Sequence, residues 1–506
     1  MEEPKEKSLD MSSGQNGYSD YEHQHEHGEI KTVPLKRKLQ SRHLQMIAIG
    51  GTIGTGLFIG SGGALATSGP AGTLIAYAFV GTLVYSVMVA LGEMATYIPV
   101  SACGLIIQYW APGLNIGIFI GVFWIVITVL NFLPVNFYGE TEFWLCTIKI
   151  MTIIGFMIFG ICINAGAGQQ GYIGFKYWHE PGAFAPSLLE QVNNDVPLAK
   201  FVGFWSVLIQ AGFSYQGTEL VGIAAGETDN PRKTVPAAIR KTFYRILFFF
   251  VLTVFFIGIL IPYTNEDLLS EDTDATSSPF VIAAKLAGVD ALPGIINFVL
   301  LTVVLSAANS NVYSGSRILV GLAQEGSAPK LFTRVTKGGV PYVAVTFTTA
   351  FGLLGFMNES SNGGQVFDWF LNISAVAGFI AWTCINIAHI CFMRALRARG
   401  QSRDTLPYKA FWQPWFSWYG IFFNVLIILT QGFTSFMPWN TTDFFVAYIS
   451  LMLFAVLYIG HKVILRQPFV RPAEADLDSG RREIEDTIFD EAVPTTIWGK
   501  FWYWVG

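Results

Sequence analysis

Read for apolar and polar positions alone, the chain is a succession of long apolar runs divided by short polar links. Windows long enough to cross about 30 Å of hydrocarbon mark eleven candidate spans, at approximately 45–65, 71–92, 114–135, 143–164, 202–225, 243–263, 290–312, 341–357, 367–393, 418–437 and 444–465. The pattern predicts an all-α polytopic membrane protein with its body at 44–465. Two polar ends remain. Residues 1–43 lack the apolar core of a cleavable signal peptide and are expected to be a disordered cytoplasmic tail. Residues 466–506 carry an acidic run (Glu483, Glu485, Asp486, Asp490, Glu491) and finish on the aromatic IWGKFWYWVG, a composition suited to a solvated tail whose tip lies in the membrane interface.

One stretch departs from uniform helix. Ile49–Ala64 reads IGGTIGTGLFIGSGGA, with seven glycines and two threonines in sixteen residues. Glycine costs a helix about 1 kcal/mol relative to alanine, so this span is expected to break, and broken backbone is tolerated in lipid only where it lines a cavity. A break exposes N–H groups suited to an anion and carbonyls suited to a cation. The alternative is close packing of small residues on a neighbouring helix. Gln210–Glu227, QAGFSYQGTELVGIAAGE, is a second glycine-interrupted span and carries the carboxylate of Glu219. An intramembrane acid marks an ion path or proton relay by default, or else a buried clamp between helices. Two broken spans, one early and one near mid-chain, are what an inverted-repeat transporter shows in its two halves.

Composition agrees with the bilayer reading: 52% hydrophobic and 13% charged, at a mean hydropathy of +0.46. Soluble chains carry about 25% charged residues. The net charge of −5 says little where charge is sorted by membrane side. Cys103, Cys146, Cys162, Cys384 and Cys391 show no ligand spacing, so neither a disulfide framework nor a metal site is expected. His23, His25 and His27 alternate with Gln and Glu in a stretch that reads as solvated tail. No phosphate-binding loop or nucleophile–base constellation is present, so neither ATP-driven transport nor an enzyme is indicated, and no cofactor is implied.

Basic residues set the expected orientation. Lys36, Arg37, Lys38 and Arg42 precede the first span, and further basic loops hold Arg232 to Arg245, Arg317 to Lys337, and Arg394 to Lys409. All four should face the cytoplasm. Tyr263–Ser278 carries five acids and no base, and sequons occur at Asn358 and Asn440, as expected of external loops. Lys149 lies near one end of the fourth window, where its side chain can snorkel to the interface. Asn309 and Ser310 put polar groups inside the seventh, for substrate contact or interhelical hydrogen bonds, the second being favoured for Asn309.

The ordered blocks IGGTIGTGLFIGSG, ATSGPAG, GEMATYIPVS, IIQYW, YGETEFW, FSYQGTELVGIAAGETDNPRKTVPAAI, SAANSNVYSGSRIL and GLAQEGSAPK resemble the fungal amino-acid permeases of the amino acid/polyamine/organocation superfamily, over about 36–465. The resemblance implies a 5+5 inverted-repeat transporter fold with broken first and sixth family spans and two extra C-terminal spans. It implies proton-coupled import of amino acids across the plasma membrane, both termini cytoplasmic. Partners would be the substrate, protons, membrane lipid and, through the tails, trafficking machinery. N–H groups around Gly54, Thr55 and Gly56 would hold the substrate carboxylate, and carbonyls of Thr52, Phe213 and Gln216 its ammonium. Phe213 and Tyr215 would supply walls or a gate. Glu219 and Glu93 are the proton-coupling candidates, Glu93 also reading as a loop anchor. A non-transporting sensor or an inactive truncated isoform is the other reading.

One family feature is absent. After GEMATYIPVS the family runs through an aromatic-rich third span before IIQYW, whereas here Ser101–Gly104 leads directly to Leu105–Trp110. With one crossing per candidate span, five crossings would bring Arg232–Arg245 outside, against the charge rule. Most of the third family span is therefore expected to be missing, and the chain as it stands to misinsert or fail to transport.

Overall fold

The computed structural model describes residues 41–94, 116–186, 195–220, 222, 231–268, 278–289, 291–324, 326–359, 363–406, 408–466, 470–475 and 477, all within the unit Leu35–Gly506. The tail expectations for 1–40 and 478–506, and the expectation for the third span, fall outside these residues. Among the described residues the regular secondary structure is helical: α1 Ser41–Thr52, a π-helical turn Gly56–Gly60, α2 Ser61–Met94, α3 Ile116–Phe132, α4 Val135–Cys162, α5 Val196–Ser206, α6 Leu208–Tyr215, α7 Pro231–Leu260, α8 Pro279–Leu286, α9 Leu292–Gln324, α10 Tyr342–Ala350 with a 3-10 continuation Phe351–Glu359, α11 Gly363–Ala398, α12 Trp415–Thr430 and α13 Thr441–Leu465.

Among the described residues, eight helical stretches are long and apolar enough to cross a membrane, and Ile120–Phe132 and Tyr342–Met357 are shorter apolar helices. The longest, His43–Leu91, folds back at Gly69, where φ is +73° and Pro70 follows, so it contains two of the expected spans. A side chain is barred there, because a Cβ on Gly69 would lie 2.5 Å from the Ala185 N. All eleven expected spans thus have a helical counterpart.

Helix ends differ from the hydropathy windows. The first helix starts at Ser41, and His43 is already buried, its Nε2 3.0 Å from Glu140 Oε1. The fourth window starts eight residues late: α4 opens at Val135. Charged residues lower the hydropathy of a window without ending the helix, which is why the window excludes Glu140 and Glu142.

Chain directions follow from which residues meet. Glu140 meets His43 and Lys149 meets Gly50, so α4 runs parallel to α1. Ser306 meets Glu142 and Ser310 meets Tyr138, so α9 runs antiparallel to both. Gly56 abuts Ser214 and Gly51 abuts Leu220, which makes α6 antiparallel to α1. The second half of α2 follows α6, with Tyr77 beside Ser214 and Leu91 beside Gly222. Helix α11 follows the same way, Gln216 reaching Ser374 and Glu219 reaching Trp382. Helix α10 begins beside the end of α9, where Ala344 packs with Val320 and Ala323. Trp124 meets Thr349 while Ile120 lies by Gly355, so α3 opposes α10. Leu247 packs on Gly81 and Gly258 on Pro70, so α7 opposes the second half of α2; consequently α7 starts, and α9 and α11 end, on the side where α1 starts. The basic stretches at Arg42, Arg232–Arg245, Arg317–Lys337 and Arg394–Lys409 share that side, as the charge pattern requires. Met94 also ends there, yet α3 begins on the opposite side.

Candidate functional site

The glycine-rich stretch does break. Ile53 still donates to Ile49 O at 2.8 Å, Ile53 and Gly54 leave helical geometry, and Phe58 N then reaches back to Gly54 O at 3.4 Å. Thr52 closes α1 with its hydroxyl on Ala48 O at 2.7 Å. The mid-chain span breaks as well. Helix α6 stops at Tyr215, Gln216 is extended (φ −62°, ψ 147°), and Gly217 has φ +94°.

The two breaks touch each other. A Cβ on Gly217 would lie 2.6 Å from Gly51 O, and one on Gly56 would lie 2.4 Å from Ser214 Cα. Only glycine permits this approach, and at Gly217 only glycine accepts the dihedral cheaply. Ser214 is held from the far side by Tyr77, hydroxyl to hydroxyl at 2.9 Å. Thr52, Gly54 and Gly56 are buried, and Thr55, Phe213 and Gln216 are half-buried around the junction. The expected substrate residues are therefore brought together. The Phe213 carbonyl already accepts the Gln216 N–H at 3.2 Å, which leaves it one further acceptor position.

Each break is tied to a further helix by polar contacts, the second to α11 and the first to α4. Around the second, Gln216 Nε2 donates to Ser374 O and Ala375 O on α11, and the buried Trp382 indole donates to Glu219 Oε2 at 3.4 Å. Glu219 thus lies within the break itself. Around the first, α4 presents Glu142 and Lys149, neither exposed to solvent. Lys149 Nζ donates to Gly50 O, and Glu142 Oε1 accepts from Ser306 Oγ on α9. A Cβ on Gly50 would lie 2.7 Å from the same Glu142 oxygen. Lys149 does not snorkel: with α4 running from Val135 to Cys162 it occupies the helix centre. Asn309 accepts from Asn131 Nδ2 at 2.9 Å, an interhelical bond as expected. Glu93 is in the last turn of α2, and its side chain lies outside the described residues.

Glu142 is the site residue that sequence reading missed. The available signal was the seven-residue spacing to Lys149, which puts both on one face of a helix.

Comparison with known proteins bears directly on this arrangement. The model of the amino acid permease family matches residues 43–105 and 100–473. The chain belongs to the amino acid permease family. Among curated relatives, the lysine-specific permease of Saccharomyces cerevisiae is 45% identical over 96% of this chain and 85% of its own length. The basic amino-acid permease of the same organism is 45% identical over 92% and 88%, and the lysine/arginine permease of Candida albicans is 44% identical over 92% and 89%. A solved nucleobase-cation-symport-1 family transporter covers 90% of this permease and 99% of its own chain at 14% identity and a TM-score of 0.41. By its family and its membrane-length helices, this permease is a multi-pass membrane protein of amino-acid transport.

Proposed function

We propose that this permease imports basic amino acids together with protons, by alternating access around the junction of its two breaks. The single observation that carries the reading is that junction, where anion-binding and cation-binding backbone meet between α1 and α6. N–H groups around Gly54, Thr55 and Gly56 hold the substrate carboxylate, and carbonyls of Thr52, Phe213 and Gln216 hold its ammonium. The substrate class rests on the relatives, which are named for lysine, arginine or basic amino acids. All of them are named permeases, which leaves a non-transporting sensor without support.

Proton coupling falls to groups that grip the breaks: Glu219 against Trp382, and the Glu142–Lys149 pair around Gly50. A proton taken up or lost at either place changes how a break is held, which is what coupling requires. The grips also support an inverted repeat, because the first break answers to α4 and the second to α11. The shared side of the basic loops supports cytoplasmic assignment of that side.

We further propose that most of one span is missing after Met94. The alignment to the lysine-specific permease runs 521 positions but covers 96% of 506 residues, about 486, so roughly 35 positions of the relative face a gap here. The family match is split where the gap is expected, at 100–105. Met94 and Ile116 stand on opposite sides of the helical body, and the sequence between them carries Pro99, Gly104, Pro112 and Gly113, residues unsuited to a continuous spanning helix. The test compares the chain with a form carrying the relative's segment between Val100 and Leu105, in a permease-deficient fungal cell. Radiolabelled lysine uptake, competed by arginine, is expected to be at least tenfold greater in the restored form at equal surface delivery. Equal uptake by both forms would overturn the missing span, and uptake insensitive to arginine the substrate class.

A further inference from the structure

His389 is a titratable group inside a membrane span, apart from both breaks. It lies on α11 with no exposure to solvent, and ionisable residues at such depth pair with other polar groups or mark proton relays. Trp382, Asn386 and His389 follow one another at four- and three-residue spacing, so they share one buried face of α11. From Trp382, which holds Glu219, to His389 the helix advances about 10 Å towards the side of the basic loops.

The hydrogen bonds fix which ring nitrogen of His389 carries the hydrogen. The Ser417 N–H donates to the Gln413 side chain at 3.3 Å, so the atom it meets is the amide oxygen, and the Ser417 hydroxyl donates its one proton to that same oxygen at 2.8 Å. Ser417 Oγ can then only accept from His389 Nδ1, 3.1 Å away. With Nδ1 protonated, Nε2 carries the lone pair and is the atom that takes up a proton. Asn386 is oriented in the same way. Its Nδ2 donates to Trp382 O at 3.0 Å and to Ser86 Oγ of α2 at 3.4 Å, the Ser86 hydroxyl itself donating to Leu83 O. Asn386 Oδ1 is therefore an acceptor, buried and without a partner among the described residues. A buried acceptor of this kind is where an internal water is held.

Titratable groups on the elements packed against α11 have other neighbours. Tyr85 of α2 lies on Phe243 and Phe416, Tyr419 of α12 meets Thr82, and Tyr215 of α6 stacks on Phe250. On α13, Tyr448 bonds Leu429 O, Tyr458 stacks on Phe454, His461 is exposed, and Asp443 and Lys462 stand near the two ends. Cys384, Cys391, Arg394 and Arg397 lie on the exposed side of α11. Glu219, held by Trp382, is the acid on the face that carries His389.

We propose that His389 relays the coupled proton from Glu219 to the side of the basic loops, by way of water held at Asn386. The relay rests on the reading that Glu219 carries the proton. The O–H bond of the Glu219 carboxyl breaks, leaving a carboxylate; water hands the proton on, and an N–H bond forms at His389 Nε2, leaving an imidazolium. Net charge is unchanged by the transfer. The imidazolium then gives the proton from Nε2 to water on the side of the basic loops, while the Nδ1–H bond to Ser417 keeps the ring in place.

The test uses proteoliposomes of the purified full chain and of the form with the third span restored. Radiolabelled lysine uptake driven by a pH gradient is compared with lysine–lysine exchange at equal pH, which needs the fold and the substrate site but no net proton transfer. His389→Gln keeps an N–H for Ser417 Oγ and loses the proton-accepting nitrogen, and Asn386→Leu removes the oxygen that holds the water. Each is expected to lower driven uptake at least tenfold while exchange stays within twofold of the parent. A structural role would lower both alike, so a ratio of driven uptake to exchange within twofold of the parent in both variants overturns the relay. If Glu219→Gln still shifts that ratio tenfold, coupling at Glu219 stands without the relay; if it does not, the coupling reading falls as well. Absence of exchange by both parent forms would overturn the transport reading, and the relay with it.

Discussion

Replacing Gly217 by alanine tests the junction of the two breaks. Two costs can be separated. Gly217 has φ +94°, and an L-residue in the left-handed region loses about 1–2 kcal/mol. Its new methyl would also lie 2.6 Å from Gly51 O, 2.9 Å from Gly51 C and 3.2 Å from Thr52 N. All three are backbone atoms of the opposing break, so relief requires the breaks to part, an overpacking cost of about 1–3 kcal/mol. Gly171 supplies the control, because its φ is +67° and nothing lies within 4 Å of where a methyl would stand. Gly171→Ala therefore carries the first cost alone. The difference between the variants, about 1–3 kcal/mol, corresponds to a factor of roughly 5 to 150 in stability, at tenfold per 1.4 kcal/mol. The assay is the half-life of solubilised protein at a fixed elevated temperature, since membrane proteins are judged by inactivation rate. Gly217→Ala should shorten the half-life well beyond Gly171→Ala and lose lysine uptake. Equal half-lives would refute the contact between the breaks.

Three further outcomes are expected, each measured in the transporting form. Gly56→Val, whose Cβ would lie 2.4 Å from Ser214 Cα, should abolish uptake while surface delivery stays largely intact; normal transport would contradict the anion site. Lys149→Met should lower stability by about 1–3 kcal/mol by removing the buried ammonium that bonds Gly50 O across from Glu142, and Glu142→Gln added to it should restore a large part of that in thermal unfolding; no recovery would show that the two act separately. Glu219→Gln should reduce proton-driven uptake much more than lysine exchange, and equal loss of both would indicate a structural role.

The bilayer spans were legible because hydropathy is a local property, and the two breaks because glycine acts locally on backbone. Ile53–Gly54 and Gln216–Gly217 fall inside the two stretches that composition singled out. That the breaks touch was not legible, since Gly51 and Gly217 are 166 positions apart and their contact is set by how helices pack. Lys149 and Glu142 were misjudged for a related reason. Glu140 and Glu142 lower the hydropathy of any window that holds them, so the window placed α4 too late, moved Lys149 towards an end and left Glu142 out. The grip of Gln216 on α11 has no sequence signature, because its acceptors are backbone carbonyls that any residue supplies.

The most direct measurement is radiolabelled lysine uptake in a permease-deficient fungal cell, by the chain and by its third-span-restored form, with the proton gradient intact and then collapsed by an uncoupler. Arginine-competed uptake by the restored form, falling at least tenfold when the gradient is collapsed, is the expected result. Surface-delivered protein that takes up no amino acid in either form, or takes it up equally with and without the gradient, would contradict proton-driven import through the broken-helix junction.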